Sequence, residues 1–213
     1  MSSRPVPLVL GIVNPKGGTG KTTVAVHLGV AAHRSGYDTT LLDTDPQASV
    51  WDWHRRSPDE YDGPTVERVG KDRTIAAAVQ QAGTDVVVVD SPARLDERTG
   101  RVLSASDLAL VPVRPSGLDL WGTVEFVDVL KRRVEDGGLT GAFVRSQADV
   151  RTSLSDNLTE AMKRLGLPLL DGLTLRVAYA RSMTEGRTVL DAGDTTAAGE
   201  VRALLSDAAD LLS

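Results

Sequence analysis

Short apolar runs alternate with amphipathic segments along the chain. Leu8–Val13, Thr39–Leu42, Asp85–Asp90, Leu108–Val113 and Gly141–Val144 are compact and aliphatic or β-branched. Runs of this length without polar alternation predict strands covered on both faces, as in a parallel sheet. The four valines Val86-Val87-Val88-Val89 are the clearest case and predict a central strand. Shorter strands are expected at Thr65–Val69 and Leu173–Leu175. Between the strands the apolar positions recur at helical spacing. Helices are expected at Lys21–Arg34, closed by Gly36, within 46–56 around Trp51 and Trp53, and at Ile75–Gln81, stopped by Gly83. Further helices are expected at Leu118–Val134, ended by Gly137-Gly138, and at Ser153–Leu165, with Leu154, Leu158, Ala161, Met162 and Leu165 on one stripe. The tail Glu200–Leu212 gathers Val201, Leu204, Leu205, Ala208, Leu211 and Leu212 on one face, a docking stripe. Ser57–Pro64, polar with two prolines, reads as a loop. Strands alternating with helices predict an α/β fold with one doubly wound, mostly parallel sheet flanked by helices on both faces. A single domain spanning 1–213 is expected.

Candidate chemistry sits at the carboxyl ends of the predicted strands. The first strand runs into Asn14-Pro15-Lys16-Gly17-Gly18-Thr19-Gly20-Lys21-Thr22-Thr23 and then into a helix. Strand, glycine-rich turn and helix form the context of a phosphate-binding loop: inward-turned N–H groups and the positive helix end attract an anion. Lys21 would reach the β- and γ-phosphates, and Thr22 would hold Mg²⁺. The common pattern G-x-x-x-x-G-K-[ST] is not met, because Pro15 stands at its first glycine and Lys16 adds a second lysine. The second strand leads into Asp43-Thr44-Asp45-Pro46-Gln47. Carboxylates at such a strand end lie where ligands bind in open α/β sheets, although Asp-x-Asp-Pro is also an ordinary turn. Asp90 ends the valine strand and fits a Walker B carboxylate; a turn or capping aspartate is the alternative. Ser91-Pro92-Ala93 would begin a nucleotide-sensing segment. Lys131, Arg132 and Arg133 read as complementing a helix dipole.

Composition narrows the partners. The formal net charge is −5 over 213 residues, so a nucleic-acid site must be a local patch rather than the whole surface. Cysteine is absent, which excludes disulfides and cysteine-ligated metals. No apolar run approaches the ~20 residues of a membrane span, and the first seven residues do not read as a signal peptide. A cytoplasmic protein is expected.

The loop Lys16–Thr23, Asp43-Thr44-Asp45-Pro46-Gln47, Val86–Ser91 and Leu110-Val111-Pro112-Val113 resemble, in order and spacing, the deviant Walker A ATPases of the ParA/MinD superfamily. Tyr179-Ala180-Arg181-Ser182, Gly186 and Gly199-Glu200-Val201 are similar to the same family. The small, ParF-like partition ATPases fit best, with no N-terminal helix-turn-helix domain, since about seven residues precede the first strand. The resemblance implies an ATP/ADP and Mg²⁺ site and a homodimer formed on ATP binding. Lys21 would act on its own chain's nucleotide, and Lys16 would cross to the partner's. Gly17, Gly18, Thr19, Gly20, Thr22 and Thr23 would complete the cradle. Asp45 would orient the attacking water, Asp43 would support the metal or the lysines, and Asp90 would hold the metal-bound water. Arg145 falls near where the family packs adenine, with Pro112 to Ser116 lining the pocket; Arg145 as a surface arginine is the alternative.

Non-specific DNA binding in the ATP state is also implied, and with it nucleoid association. Arg176 and Arg181, with Arg187 nearby, are the candidate contacts. Residues 143–187 hold seven Lys/Arg against five Asp/Glu, a weak asymmetry, so arginines of a solvated face remain the alternative. The implied function is ATP-dependent DNA partition or cargo positioning, with weak basal hydrolysis stimulated by a ParB-like or other adaptor protein. Two rivals are a membrane-cycling MinD-like ATPase and a metabolic P-loop enzyme. The acidic polar face of the tail opposes the first. Lys16 and the Asp-Pro-Gln signature oppose the second.

Overall fold

In a computed structural model the described residues are 6–70, 72–115, 124–148, 160, 162 and 164–213. Among them the strands are β1 (Leu8–Ile12), β2 (Thr39–Asp43), β3 (Thr65–Arg68), β4 (Val86–Asp90), β5 (Leu108–Val113), β6 (Thr140–Ala148) and β7 (Leu169–Thr174). All pair in parallel, in the order β3-β2-β4-β1-β5-β6-β7. The helices are α1 (Lys21–Arg34), α2 (Ser49–His54), α3 (Ile75–Ala82), α4 (Glu97–Ala105), α5 (Val124–Glu135), α6 (Val177–Thr184) and α7 (Thr195–Asp210). The doubly wound parallel sheet predicted from the alternation is therefore the fold.

The valine strand shows why. Val86 and Val88 enter a core with Leu28, Leu41 and Val201; Val87 and Val89 enter a second core with Leu42, Leu103 and Phe126. Successive side chains point to opposite faces, so a strand with a helical layer on each side must be apolar throughout. The tail docks as its stripe predicts: Val201, Leu204 and Ala208 are buried. Each fully buried leucine or valine there stabilises by about 1.5–3 kcal/mol.

Several boundaries differ from the pattern. β6 continues four residues past the predicted Val144 because its polar end stays in the ladder, with Arg145 opposite Val113 and Ser146 opposite Leu173. β7 starts at Leu169 rather than Leu173, despite Asp171-Gly172 in its middle. Gly172 is needed there: a Cβ would sit 2.0 Å from the Arg145 carbonyl oxygen. α7 begins five residues before the predicted Glu200, because Asp194 caps it by accepting from the N–H groups of Thr196 and Ala197. The helix α4 was not expected; Asp96 caps it in the same way, toward Arg98 and Thr99. Of the helix expected over Leu118–Val134, residues 118–123 lie outside the described residues. So does most of Ser153–Leu165, although Met162 is helical and fully buried.

α1 crosses the core with one polar side chain, His27, fully buried. Its Nδ1–H donates to the Thr23 carbonyl at 2.7 Å, and Nε2 accepts from the Val189 N–H at 3.2 Å. The ring meets Tyr179 edge-on at 5.1 Å. Burial pushes its pKa from 6.5 down to about 4. The unfolded chain therefore binds a proton near pH 6.5 that the folded chain refuses until about 4. This contribution to stability is complete above that window and is lost as pH falls through it, by about 1.4 kcal/mol per unit. Urea midpoints of the wild type and His27→Gln should converge as pH falls from 6.5 toward 4. A pH-independent difference between them would contradict the neutral ring.

Candidate active site

Because every strand runs the same way, their carboxyl ends share one edge of the sheet. The register places Asp43 opposite Asp90, and Asp90 opposite Ile12, the last residue of β1. The loop is tied down by buried Asn14: its Nδ2 donates to the Pro112 carbonyl at 2.8 Å, and its Oδ1 accepts the Lys16 N–H at 2.9 Å. Gly20 ends the loop with φ 88°, and a Cβ there would lie 2.4 Å from Ser146 Oγ. No side chain among the described residues caps the helix that follows. Its first N–H groups are left to an anion.

Lys21 is buried, and its Nζ donates to the Lys16 carbonyl at 3.0 Å. Burial lowers its pKa, and the carboxylates of Asp90 and Asp45 oppose that shift. Thr22 Oγ1 donates to Asp90 Oδ2 at 2.7 Å. Asp90 is buried, and burial pushes its pKa up to about 7. Its second oxygen, Oδ1, has no hydrogen-bond partner among the described residues. A buried carboxylate oxygen without a donor is costly, and a cation beside the Thr22 hydroxyl would relieve it. These two residues thus fit a divalent ion. Among the described residues, no group of three or more His, Cys, Asp or Glu side chains is placed to hold one. The ion's remaining ligands would come from phosphate and water, as is usual for Mg²⁺.

The Asp43–Asp45 segment is organised around backbone donors. Asp43 Oδ1 accepts from the Asp45 N–H at 3.1 Å and Oδ2 from the Trp51 N–H at 3.0 Å. Asp43 thereby anchors the turn and the entry to α2, and only its remaining lone pairs are left for a metal or a lysine. Asp45 is half-buried, and its Oδ1 accepts from the Gln47 N–H at 2.9 Å. Its field reaches Lys21 of the same chain.

On the other side of the loop a cavity of about 280 Å³ is lined by Gly20, Thr23, Ser146, Gln147, Arg176 and Tyr179. Ser146 and Gln147 gave no signal in the sequence. Gln147 holds φ 52° and donates from Nε2 to the Gly18 carbonyl at 3.2 Å, so β6 supports the loop from its end. A left-handed non-glycine could have been found only from coordinates. Arg145 closes the β5–β6 ladder and donates to Asp171 at 2.6 Å. Ser116 lies outside the described residues. The three candidate DNA-contacting arginines differ in setting. Arg176 is held by Glu200 at 2.9 Å, in a cluster that also takes Thr174 and Tyr179. Arg181 is exposed and paired with Glu185 at 3.1 Å, and Arg187 is exposed while its carbonyl accepts from Trp53 Nε1.

Residues 10–189 match the family model of the CobQ/CobB/MinD/ParA nucleotide binding domain. The chain belongs to this family. The resemblance read from the two-lysine loop and the Asp-Pro-Gln turn is thereby borne out. The chain is 30% identical over 205 residues to "Maintenance of carboxysome distribution protein A" of Halothiobacillus neapolitanus, covering 93% of this chain and 94% of that protein. Among solved structures it is similar to a McdA variant of Cyanothece in complex with ATP, with TM-score 0.75 at 17% identity, covering 98% of this chain and 97% of that one. It is also similar to the septum site-determining protein MinD of Pyrococcus horikoshii with Mg-ADP, with TM-score 0.73 at 20% identity, covering 94% and 95%. At these identities the structural likenesses establish the fold. Members of this ParA/MinD family are ATPases, and they dimerise and work with partner proteins.

Proposed function

We propose that the chain is a partition or cargo-positioning ATPase, switched between states by ATP binding and hydrolysis. The observation that carries this reading is the second loop lysine, Lys16, in a loop whose other lysine, Lys21, is already placed for the phosphates of its own chain. Lys21, Thr22, Asp45 and Asp90 converge on one sheet edge and supply what phosphoryl transfer needs: a phosphate clamp, a metal position and a group to orient water. Lys16 is surplus to that set unless it serves a second subunit. Likeness over nearly the whole chain to a protein named for carboxysome distribution supports positioning as the task.

Lys21 moves from the Lys16 carbonyl onto the β- and γ-phosphates. Asp45 orients the attacking water, and Thr22 and Asp90 would hold Mg²⁺, which would supply charge neutralisation at the phosphate oxygens. Arg145 and Pro112, on the neighbouring strands β6 and β5, would line the nucleobase pocket. Lys16 of one subunit completes the other's site in an ATP-bound dimer, which binds DNA non-specifically. A ParB-like or other adaptor on the cargo stimulates the weak basal hydrolysis and resets the cycle. Arg176 is half-buried against Glu200, whereas Arg181, paired at the surface with Glu185, and Arg187 are exposed, and two subunits double them. The polar face of α7 carries Glu200, Asp207 and Asp210 against Arg202, which favours DNA over an anionic membrane. No helix among the described residues is long and apolar enough to cross a membrane.

The test is retention on non-specific DNA with ATP, ADP or no nucleotide. Retention should require ATP and Mg²⁺. It should fall linearly on log–log axes with salt, at about 0.9 per phosphate contacted. Equal retention with ADP, or none at low salt, would overturn the DNA-binding part of the reading.

A further inference from the structure

The turn that carries Asp45 and the helix that follows the switch segment face each other across an open cleft of about 600 Å³. Asp45, Pro46 and Gln47 lie on one wall, and Pro92, Ala93 and Arg98 on the other. One side chain bridges it. Arg98, in the first turn of α4, donates from Nη1 to the Thr44 carbonyl at 2.8 Å. Its Nη2 donates to the carbonyls of Val69 at 3.2 Å and Gly70 at 3.0 Å. The planar guanidinium thus binds the carboxyl-end backbone of β2 and of β3 at once, which a lysine cannot do.

The Thr44 contact matters most. The peptide between Thr44 and Asp45 is held at both ends: Arg98 takes its carbonyl, and Asp43 Oδ1 takes its N–H at 3.1 Å. One step earlier, the Thr44 N–H and hydroxyl both donate to the Asp90 carbonyl, at 3.1 and 2.7 Å. With the peptide plane fixed, the Asp45 Cα has little freedom left. The arginine is itself rigidly presented. Asp96 caps the start of α4, and the Thr99 hydroxyl donates to the Arg94 carbonyl at 2.6 Å. That capped start is separated by two residues from Ser91-Pro92-Ala93, which continue the chain from the strand that ends in Asp90.

We infer that Arg98 is a positioning residue, which couples the switch segment and α4 to the Asp45 turn. It touches no reacting atom. A shift of the 91–93 segment on nucleotide binding moves α4, and Arg98 carries the Thr44–Asp45 peptide with it. Water orientation at Asp45 thereby depends on the state of the switch. This inference rests on the proposed ATPase cycle for its catalytic consequence, but the mechanical coupling stands apart from that cycle.

The experiment compares wild type, Arg98→Lys and Arg98→Ala in two measurements. Lysine keeps the charge, but its three donors share one nitrogen and cannot reproduce the spread of the guanidinium over the three carbonyls, and it guards against loss of the fold in the alanine variant. ATP turnover should fall about tenfold or more, as misplacement of a catalytic group predicts, with ATP affinity within about threefold. Amide hydrogen exchange should rise at 45–51, where the N–H groups of Asp45, Gln47, Ala48 and Trp51 are bonded within the turn, and stay unchanged in β5 and β6. Unchanged exchange at 45–51 in both variants overturns the coupling, as does a rise spread evenly over the sheet. If the wild type hydrolyses no ATP, the functional reading falls and the exchange result alone decides the role of Arg98. If the wild type is active and both variants keep full turnover, the positioning role is wrong even where exchange rises.

Discussion

Replacing Asp45 with alanine slows ATP turnover by roughly 10²–10⁴-fold, the range for loss of a positioned proton acceptor. ATP affinity should stay within a few-fold of wild type. The split follows from the geometry. The groups placed to bind phosphate are the Lys21 ammonium, the Thr22 hydroxyl and the uncapped start of α1, and none depends on the Asp45 carboxylate for its position. Asp45 contributes a field at Lys21 and accepts the Gln47 N–H. Losing the field removes the smaller of the two charges that oppose the effect of burial on Lys21, and Asp90, the larger, remains. A variant able to bind but not hydrolyse should accumulate as the ATP-bound dimer, visible by light scattering and by persistent DNA retention. Steady-state phosphate release and nucleotide titration measure the two quantities separately. Normal turnover in the alanine variant would remove Asp45 from the mechanism.

Lys16→Gln should lower turnover in the stimulated, dimeric state by about 10³-fold or more, the effect of losing a cation that neutralises charge in phosphoryl transfer. Binding in the same chain should survive. The backbone of residue 16, which the substitution leaves in place, gives its N–H to Asn14 and its carbonyl to Lys21. The decisive measurement mixes two inactive variants. In a heterodimer of Lys16→Gln with Asp45→Ala, the site on the first chain keeps its own Asp45 and receives Lys16 from the second. Random pairing makes half the dimers mixed, each with one working site of two, so about a quarter of wild-type turnover should return. If Lys16 acts within its own chain, the mixture stays inactive.

The chemistry legible in the sequence is of one kind: residues whose role follows from local spacing. Lys21 and Thr22 begin a helix after a glycine-rich turn, and that context alone assigns them to phosphate and metal. The structure adds the buried, half-satisfied state of Asp90, which spacing cannot show. Asp43 was expected to support the metal or the lysines. Its two oxygens also accept from Asp45 and Trp51, contacts two and eight residues ahead that depend on how α2 returns over the strand end. Arg176 looked like one of several basic positions. It meets Glu200 across 24 residues, and that partner lies on a helix whose docking is a tertiary event. Gln147 and Arg98 carried no pattern, because their contacts are to backbone carbonyls, and any residue supplies a carbonyl.

The sequence alone determined the α/β class, the strands of the central sheet, the phosphate loop and its unusual second lysine. Each is written in short-range periodicity or in residues adjacent along the chain, where burial on two faces or a tight anion-binding turn restricts the choice of side chain. The tertiary structure decided how β6 and β7 extend, which arginines keep their charge exposed, and how the Asp45 turn is held. Those outcomes depend on strand register and on backbone groups brought together from distant parts of the chain. Parallel pairing set Asp43 beside Asp90, and the cleft facing α4 left Arg98 to bond the carbonyl of the Thr44–Asp45 peptide.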